Sequence, residues 1–203
     1  MRKHTIFVEG TSDIQFLRQY LLHCFPDVPE SELPMIVDMK GKDPLIATPD
    51  LVKPNFDRVR LLHPDGQILV VFDADGNPQK RAAELRKAAA VVGDFEQFLF
   101  PNDADTGELE TLLCELVPNE NRVVLDCFDG FKTCLQQHSE REFFLPVQKA
   151  KVFAYLDAVL SPGKKEQIQD NKRDYRDPAY WDLDAPYLAP LRTFLTRHLL
   201  GSV

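Results

Sequence analysis

Short runs of apolar residues, each about the length of a β-strand, recur through the first half of the chain. They lie in the stretches "TIFVEG", "PMIVDM", "QILVVFDADG" and "FEQFLFP". Residues 68–72 are five apolar residues in succession, a pattern typical of a strand buried on both faces of a parallel sheet. We therefore predict four strands, of which the one within residues 67–76 is indicated most strongly.

Helical patterns separate these strands. After "TIFVEG", Ser12 has the position of an N-cap and Gln15 completes a capping-box pattern. Residues 78–92 predict a second helix and "GELETLLCEL" a third, whereas "KGKDPLIATPDLV" predicts a loop followed by a helix that is interrupted at Pro49. This alternation of strand and helix indicates an α/β fold with a mainly parallel sheet flanked by helices.

The pattern changes from about Pro118 onward, where helical periodicity predominates. We predict helices over roughly 120–138, 146–160 and 187–199, with a polar loop between the last two. The expected organisation is an α/β domain over residues 1–117 and a helical extension over residues 118–203. We expect the extension to pack on the α/β half, so that both form one compact unit.

Charge restricts the classes of partner. The chain has 203 residues with 24 Lys and Arg against 32 Asp and Glu, so the net charge is 24 − 32 = −8. A surface of this sign does not attract nucleic acid by itself. Binding to nucleic acid would therefore need a local basic patch, or metal ions that bridge to phosphate.

Apolar runs and cysteines bear on the compartment. No run approaches the ~20 apolar residues that a membrane-spanning helix needs, and the first residues lack the core of a signal peptide. The four cysteines form no CxxC pair. They are expected to be reduced thiols in the core of a cytoplasmic protein, rather than zinc ligands or disulfides.

Carboxylates follow two of the predicted strands. Glu9 ends the first strand, and Asp73 and Asp75 end the strand within residues 67–76. Ligands of open parallel sheets bind outside the carboxyl ends of the strands. Gathered acids repel one another, and a divalent cation such as Mg²⁺, Mn²⁺ or Ca²⁺ removes that repulsion. Asp75 alone is also an ordinary turn residue, and Asp13 alone is also a favoured acid in the first turn of a helix.

Three known motifs, the EF-hand calcium loop, the P-loop and the phosphatase Asp-x-Asp, share some residues with this chain. "DADGNP" lacks the glycine that an EF-hand calcium loop has at its sixth position, and Gly41-Lys42 lacks the rest of a P-loop. The Asp-x-Asp-Gly motif also resembles the haloacid-dehalogenase phosphatases, with Asp73 as the nucleophile and Asp75 as the general acid. A complete α/β unit precedes the motif here, and Asn77 replaces the usual Thr or Val, which both disfavour that family.

Residues 4–117 together resemble the Toprim domain, the metal-binding module of topoisomerases, bacterial primases, recombination-repair proteins and OLD-family nucleases. "FVEG" and "VVFDADG" match its glutamate and its Asp-x-Asp. "EGTSDIQFL" and "GELETLL" are similar to the OLD-type branch, and this resemblance implies Asp13 and Glu110 as further ligands. Nearly the whole chain, including "WDLDAPYLAPLRTFL", also looks like an uncharacterised small Toprim-like family of unknown function.

The resemblance implies Mg²⁺- or Mn²⁺-dependent phosphodiester chemistry on nucleic acid, most simply a nuclease. Glu9, Asp73 and Asp75 would hold one or two ions, with Asp13 and Glu110 at a second site. Glu9 would also act as a general base. OLD-type enzymes place a lysine near the metals, and "VQKAKVFAYL" offers Lys149 or Lys151 for that role or for an ordinary solvated helix face.

Two alternatives to a nuclease remain open from the sequence. One is a non-catalytic metal-binding Toprim module that binds nucleic acid or a partner protein, which the net negative charge favours. The other is the phosphatase that uses Asp73. Aromatic residues near the C-terminus also have two interpretations, because they either stack on bases or pin the last helix onto the α/β half; we favour pinning. They are Tyr175, Tyr180, Trp181 and Tyr187.

Overall fold

Four parallel strands form the centre of the fold in the computed structural model, which describes residues 1–138 and 142–200. They are β1 (Thr5–Val8), β2 (Met35–Asp38), β3 (Ile68–Asp73) and β4 (Glu96–Phe100), in the spatial order β2-β1-β3-β4. Each neighbouring pair is parallel, so all four carboxyl ends lie at one edge. The structure thus confirms the prediction of an α/β fold with a parallel sheet and a C-terminal helical region.

Eight α-helices accompany the sheet in the described residues. The predicted helices after "TIFVEG", over 78–92, in "GELETLLCEL" and in the C-terminal region are all present. In chain order the helices are α1 (Thr11–Cys24), α2 (Asp43–Ile46), α3 (Pro49–Leu62), α4 (Pro78–Val92), α5 (Leu109–Glu115), α6 (Arg122–Gln137), α7 (Gln148–Val159) and α8 (Ala189–Leu200).

Each face of the sheet has its own hydrophobic core, because side chains alternate between faces along a strand. On one face, Phe7 of β1 and Val70 of β3 pack with Phe56 of α3 and Leu85 of α4. On the other face, β1 and β3 contribute to a larger core that also contains residues of α1, α5, α7 and α8. The C-terminal helices therefore bury apolar surface together with the α/β half.

The segment between α7 and α8 packs against α1. Tyr175 and Trp181 are fully buried there, and the Tyr175 ring packs edge-on against Phe16 of α1 with centroids 5.4 Å apart. The Tyr175 N–H also donates to Oε1 of Gln19 at 2.7 Å. These contacts support pinning rather than base stacking for these two aromatic residues.

Two local predictions were wrong and one was confirmed. Gly10, not Ser12, is the N-cap of α1, because the Asp13 carboxylate accepts the Gly10 N–H. The helical stretch is interrupted at Pro49 as predicted, because α2 ends at Ile46 and α3 begins at Pro49, whose fixed φ and missing N–H suit a first turn. The four cysteines are free as expected, but only Cys114 is buried, and two of the other three lie on the exposed side of α6.

None of the helices within residues 1–138 and 142–200 combines the length and the apolar character that crossing a membrane requires.

Candidate functional site

Glu9 and Asp73 lie side by side at the carboxyl edge of the sheet. Glu9 directly follows β1, Asp73 is the last residue of β3, and these two strands are neighbours. The backbone N–H of Asp73 donates to Oε1 of Glu9 at 3.0 Å. This bond holds the Glu9 side chain across the end of β3, as the sequence predicted for acids at neighbouring strand ends.

Asp13 reaches the same edge from the first turn of α1. Its Oδ2 accepts the Gly10 N–H at 2.8 Å, and the residue is only 7% exposed. A helix-start acid ordinarily lies in solvent, where the helix dipole favours its charge. Burial beside Glu9 therefore distinguishes Asp13 from an ordinary helix-start residue.

Glu110 arrives from the other side, in the first turn of α5. The Leu109 N–H at the start of α5 donates to Oδ1 of Asp73 at 2.9 Å, which ties this helix to the end of β3. Glu110 is 8% exposed. Its carboxylate forms no hydrogen bond or ion pair with any described residue. We call Glu9, Asp13, Asp73 and Glu110 the carboxylate cluster.

Burial and mutual repulsion perturb the cluster electrostatically. Burial and, secondarily, the charges of Asp13, Glu9 and Glu110 together raise the pKa of Asp73 to about 9. Burial raises the pKa of Asp13 to about 7, with contributions from Glu9, Glu110 and Asp38. Burial also raises the pKa of Glu9, against the opposing Asp73 hydrogen bond.

Positive side chains do not neutralise the cluster directly. Among the described residues, no Lys, Arg or His side chain forms an ion pair with any of its four carboxylates. Two of the members are nearly inaccessible to water, which would otherwise screen the charges. Like charges held together in this way are costly unless they are protonated or share a cation.

Asp75 has the opposite environment. Its Oδ2 accepts from both Lys42 Nζ and Arg81 Nη2. Partial burial alone would raise the pKa of Asp75, but the hydrogen bonds and charges of Lys42 and Arg81 lower it below its usual value. Asp75 thus lies at the same edge as the cluster, but its carboxylate is already paired with the cationic side chains of Lys42 and Arg81.

The backbone around Asp75 is bound to the loop before α5. Asp75 and Gly107 exchange N–H···O bonds of 2.8 Å in both directions. Asp75 has a φ of +51° and Gly107 has a φ of +142°. A Cβ on residue 107 would lie 2.6 Å from Oγ1 of Thr111, so this position requires glycine on both counts.

The two candidate lysines of α7 point to different places. Lys149 Nζ pairs with Oδ2 of Asp170 at 2.6 Å. Burial, with the charges of Glu110 and Asp75, raises the pKa of Glu108 next to the start of α5, and the charge of Lys149 opposes this shift. Lys151 Nζ pairs with Oδ2 of Asp129 on α6 at 2.6 Å. Lys149 is therefore the lysine of the two that acts on the loop beside the cluster.

Sequence reasoning missed three residues at this edge. Asp38 ends β2, the strand next to β1, and its charge acts on Asp13. Asp38 could have been predicted from the sequence, because it is an acid near the end of the predicted strand "PMIVDM". Lys42 and Arg81 were also missed, because nothing in the pattern indicates that an exposed loop and the second turn of α4 converge on Asp75.

The four carboxylates have the chemistry that suits a divalent metal ion, but their arrangement in this structure does not form a complete site. Carboxylate oxygens in a buried cluster without a cation are the ligand type that Mg²⁺ and Mn²⁺ prefer. Within residues 1–138 and 142–200, however, no three His, Cys, Asp or Glu side chains are arranged so that they could hold one ion. The residues thus fit a divalent ion by chemistry, and binding would require the carboxylates to adjust their positions.

One comparison with known proteins produced a match. Residues 3–200 match the sequence profile of the family described as "Protein of unknown function (DUF3226)". No curated protein and no solved structure matches the chain.

Proposed function

We propose, for a chain that belongs to the DUF3226 family of unknown function, a divalent-cation-dependent hydrolysis of phosphodiester bonds in nucleic acid. The activity would be that of a Toprim-type nuclease with Mg²⁺ or Mn²⁺. One observation carries the proposal: Glu9, Asp13, Asp73 and Glu110 meet at one sheet edge, and none of them pairs with a positive side chain of the described residues.

The cluster supports a cation site because a folded protein rarely buries like charges without compensation. Asp73 and Glu9 are fixed in place by backbone N–H groups at 2.9 and 3.0 Å. Glu110 is free to turn toward an ion, since its carboxylate has no other partner in the described residues. We assign Glu9, Asp13, Asp73 and Glu110 as the residues that would hold the metal.

The chemistry follows from this assignment. A bound divalent ion would stabilise the negative charge that develops on the attacking and leaving oxygens. Glu9 is the candidate general base, because burial raises the pKa of this carboxyl and makes its ionised form a stronger base. Lys149, whose charge acts on Glu108, is the candidate for stabilising charge on the substrate.

Asp75 disfavours the phosphatase alternative. In that mechanism Asp75 donates a proton to the leaving group, which requires a raised pKa. Its pKa is instead lowered by Lys42 and Arg81.

A non-catalytic metal-binding module is the second candidate. The net charge of −8 favours it over an enzyme that must attract nucleic acid. Either function is compatible with the cytoplasm, which we infer from four cysteines that are all free.

Cleavage assays separate these functions. Purified protein is incubated with single- and double-stranded DNA and RNA in Mn²⁺. We expect cleavage that stops on chelation and falls more than about 100-fold in Glu9→Gln and Asp73→Asn, since even the partners of metal ligands contribute 10- to 100-fold. Asp27→Asn is the matched control, because Asp27 is exposed in the turn after α1.

The result that contradicts the nuclease is equally specific. Absence of cleavage, together with Mn²⁺ binding that Asp73→Asn abolishes, would support the non-catalytic module. Cleavage that persists in both variants would show that the nuclease activity does not come from the carboxylate cluster.

A further inference from the structure

A cavity of about 400 Å³ opens next to Asp75, at the beginning of α4. Asn77 caps α4 through its Oδ1, and Pro78 is the first residue of the helix. Three cationic and three acidic side chains line the cavity, so its charges balance only while all three acids remain there. They are Lys42, Lys80, Arg81, Asp43, Asp75 and Glu84.

Lys42 and Arg81 converge on one atom of this cavity. Both donate to Oδ2 of Asp75. The Arg81 side chain is only 8% exposed, and its Nε has no hydrogen-bond partner among the described residues. Arg81 also donates from Nη1 to Oε2 of Glu84 at 3.2 Å. A phosphate group has enough oxygens to accept from both Nη atoms of this guanidinium, which now reach two different carboxylates.

Further features of the cavity suit an anion. The N-terminus of α4, a helix of 15 residues, contributes a partial positive charge. Lys80 is largely exposed and only loosely paired with Glu84, at 3.9 Å, so its charge is available. A Cβ built on Gly76 meets no atom within 4 Å, so the loop after Asp75 leaves open space.

We propose that Lys42 and Arg81 bind a phosphate group of the substrate and that the Asp75 carboxylate occupies this position when substrate is absent. Phosphate presents several oxygens to the Arg81 fork, whereas Asp75 presents one to both cations. The inference rests on the proposed function for the identity of the substrate. It differs from the sequence-based assignment of Asp75, which was as a metal ligand.

Displacement of Asp75 would also affect the carboxylate cluster. Asp75, Arg81 and Lys42 all act electrostatically on Glu9, so the cavity and the cluster are within reach of each other. A phosphate that takes the two cations would leave Asp75 free to add a carboxylate to the cluster. Phosphate and Mn²⁺ would then strengthen each other's binding, by reciprocal linkage.

Calorimetric titration of inorganic phosphate into the metal-free protein tests the site. We expect measurable binding that weakens at least about tenfold in Lys42→Gln, since one charge-assisted contact contributes about 1.4 kcal/mol or more. Asp75→Asn should bind phosphate more tightly than the unaltered protein, because the competing carboxylate is gone. Arg81→Lys should weaken binding despite its retained charge, because the fork is lost.

Lys53→Gln is the control for these variants. Lys53 is a half-exposed lysine of α3 that pairs with Asp57 at 2.9 Å, and it does not line the cavity. Its removal should leave phosphate affinity unchanged. Equal phosphate affinity of Lys42→Gln and the unaltered protein, or of Asp75→Asn and the unaltered protein, would overturn the proposal.

A second titration with a short single-stranded oligonucleotide identifies the source of the phosphate. Tighter binding than inorganic phosphate, again weakened by Lys42→Gln, supports a nucleic-acid substrate; weaker binding overturns that part. A protein that binds phosphate as expected but cleaves no nucleic acid contradicts the nuclease alone. Conversely, a protein that cleaves, with phosphate affinity insensitive to Lys42, contradicts the phosphate site alone.

Discussion

Asp73 and Asp75 are two residues apart at the end of one strand, yet their surroundings are opposite. Asp73 is half-buried beside Glu9, Asp13 and Glu110, and its pKa is raised to about 9. Asp75 is partly exposed and bound by Lys42 and Arg81, and its pKa is lowered. The same sheet edge therefore has one region whose carboxylates form no ion pair in the described residues and another in which two cations are already paired with an acid.

The difference teaches how one motif can serve two ligands. Burial without an ion-paired partner supports the proposed cation site, because a bound cation would offset the mutual repulsion of the carboxylates. Paired cations that hold a displaceable carboxylate make the Asp75 region a place for an anion. Phosphodiester hydrolysis with a divalent ion requires a cation and a phosphate close together.

The pH dependence of stability should distinguish the surroundings of Asp73 and Asp75 most clearly. Asp73 and Asp13 have folded pKa values of about 9 and about 7, above their ordinary value of 3.8. Stability from such groups is complete in acid and is lost as pH rises through the folded values. We expect the metal-free protein to lose at least ~2 kcal/mol of unfolding free energy between pH 5 and 9, which is about 4 to 8 °C in melting temperature.

Asp73→Asn is the variant that attributes this loss. It should melt at a similar temperature to the unaltered protein at pH 5 and at a higher one at pH 9, because the amide carries no charge to repel. Mn²⁺ should restore the unaltered protein at pH 9 but not this variant. Asp75→Asn should instead lower the melting temperature at both pH values. The ionised Asp75, whose pKa is lowered, stabilises the fold above about pH 4. Parallel melting curves for Asp73→Asn and the unaltered protein would contradict this account.

Gly107 links the two regions, so its substitution should disturb both. Gly107→Ala places a methyl group 2.6 Å from Oγ1 of Thr111 at a φ of +142°. The expected cost is about 1 to 2 kcal/mol of unfolding free energy, measured by urea denaturation. Phosphate affinity and Mn²⁺ affinity should both fall, because Gly107 pairs with Asp75 and precedes the helix that bonds Asp73.

Gly130→Ala is the matched control for that substitution. Gly130 lies within α6, where an added Cβ meets no atom within 4 Å. Alanine should stabilise this helix by about 0.5 to 1 kcal/mol. If Gly107→Ala were as harmless as Gly130→Ala, the loop before α5 would not be what holds the two regions together.

Strand ends were the part of the site that the sequence could predict. Buried apolar runs located β1 and β3, and a parallel sheet brings the carboxyl ends of such strands together. Glu9 and Asp73 were found in this way. The predicted helices of the C-terminal half were also correct to within a few residues, because long periodic patterns are the strongest local signal.

Side-chain pairing could not be predicted, because it depends on segments far apart in the sequence. Lys42 meets Asp75 across 33 residues, and no local pattern encodes that meeting. The N-cap of α1 was misplaced for a related reason. Ser12 and Gln15 satisfy the capping pattern, but Asp13 bonds Gly10 and Gln15 donates instead to the Asn171 carbonyl of a distant segment.

The two lysines of α7 provide the smallest expected effects and the finest test of where the site ends. Lys149 is half exposed and paired with Asp170, and its charge reaches Glu108 beside the cluster. Lys149→Met should therefore slow Mn²⁺-dependent cleavage by up to about fivefold, or ~1 kcal/mol. Lys151 pairs with the exposed Asp129 of α6, so Lys151→Met should lower the melting temperature slightly and leave the cleavage rate unchanged. If Lys151→Met slowed cleavage more than Lys149→Met, the site would extend toward α6 rather than toward Glu108.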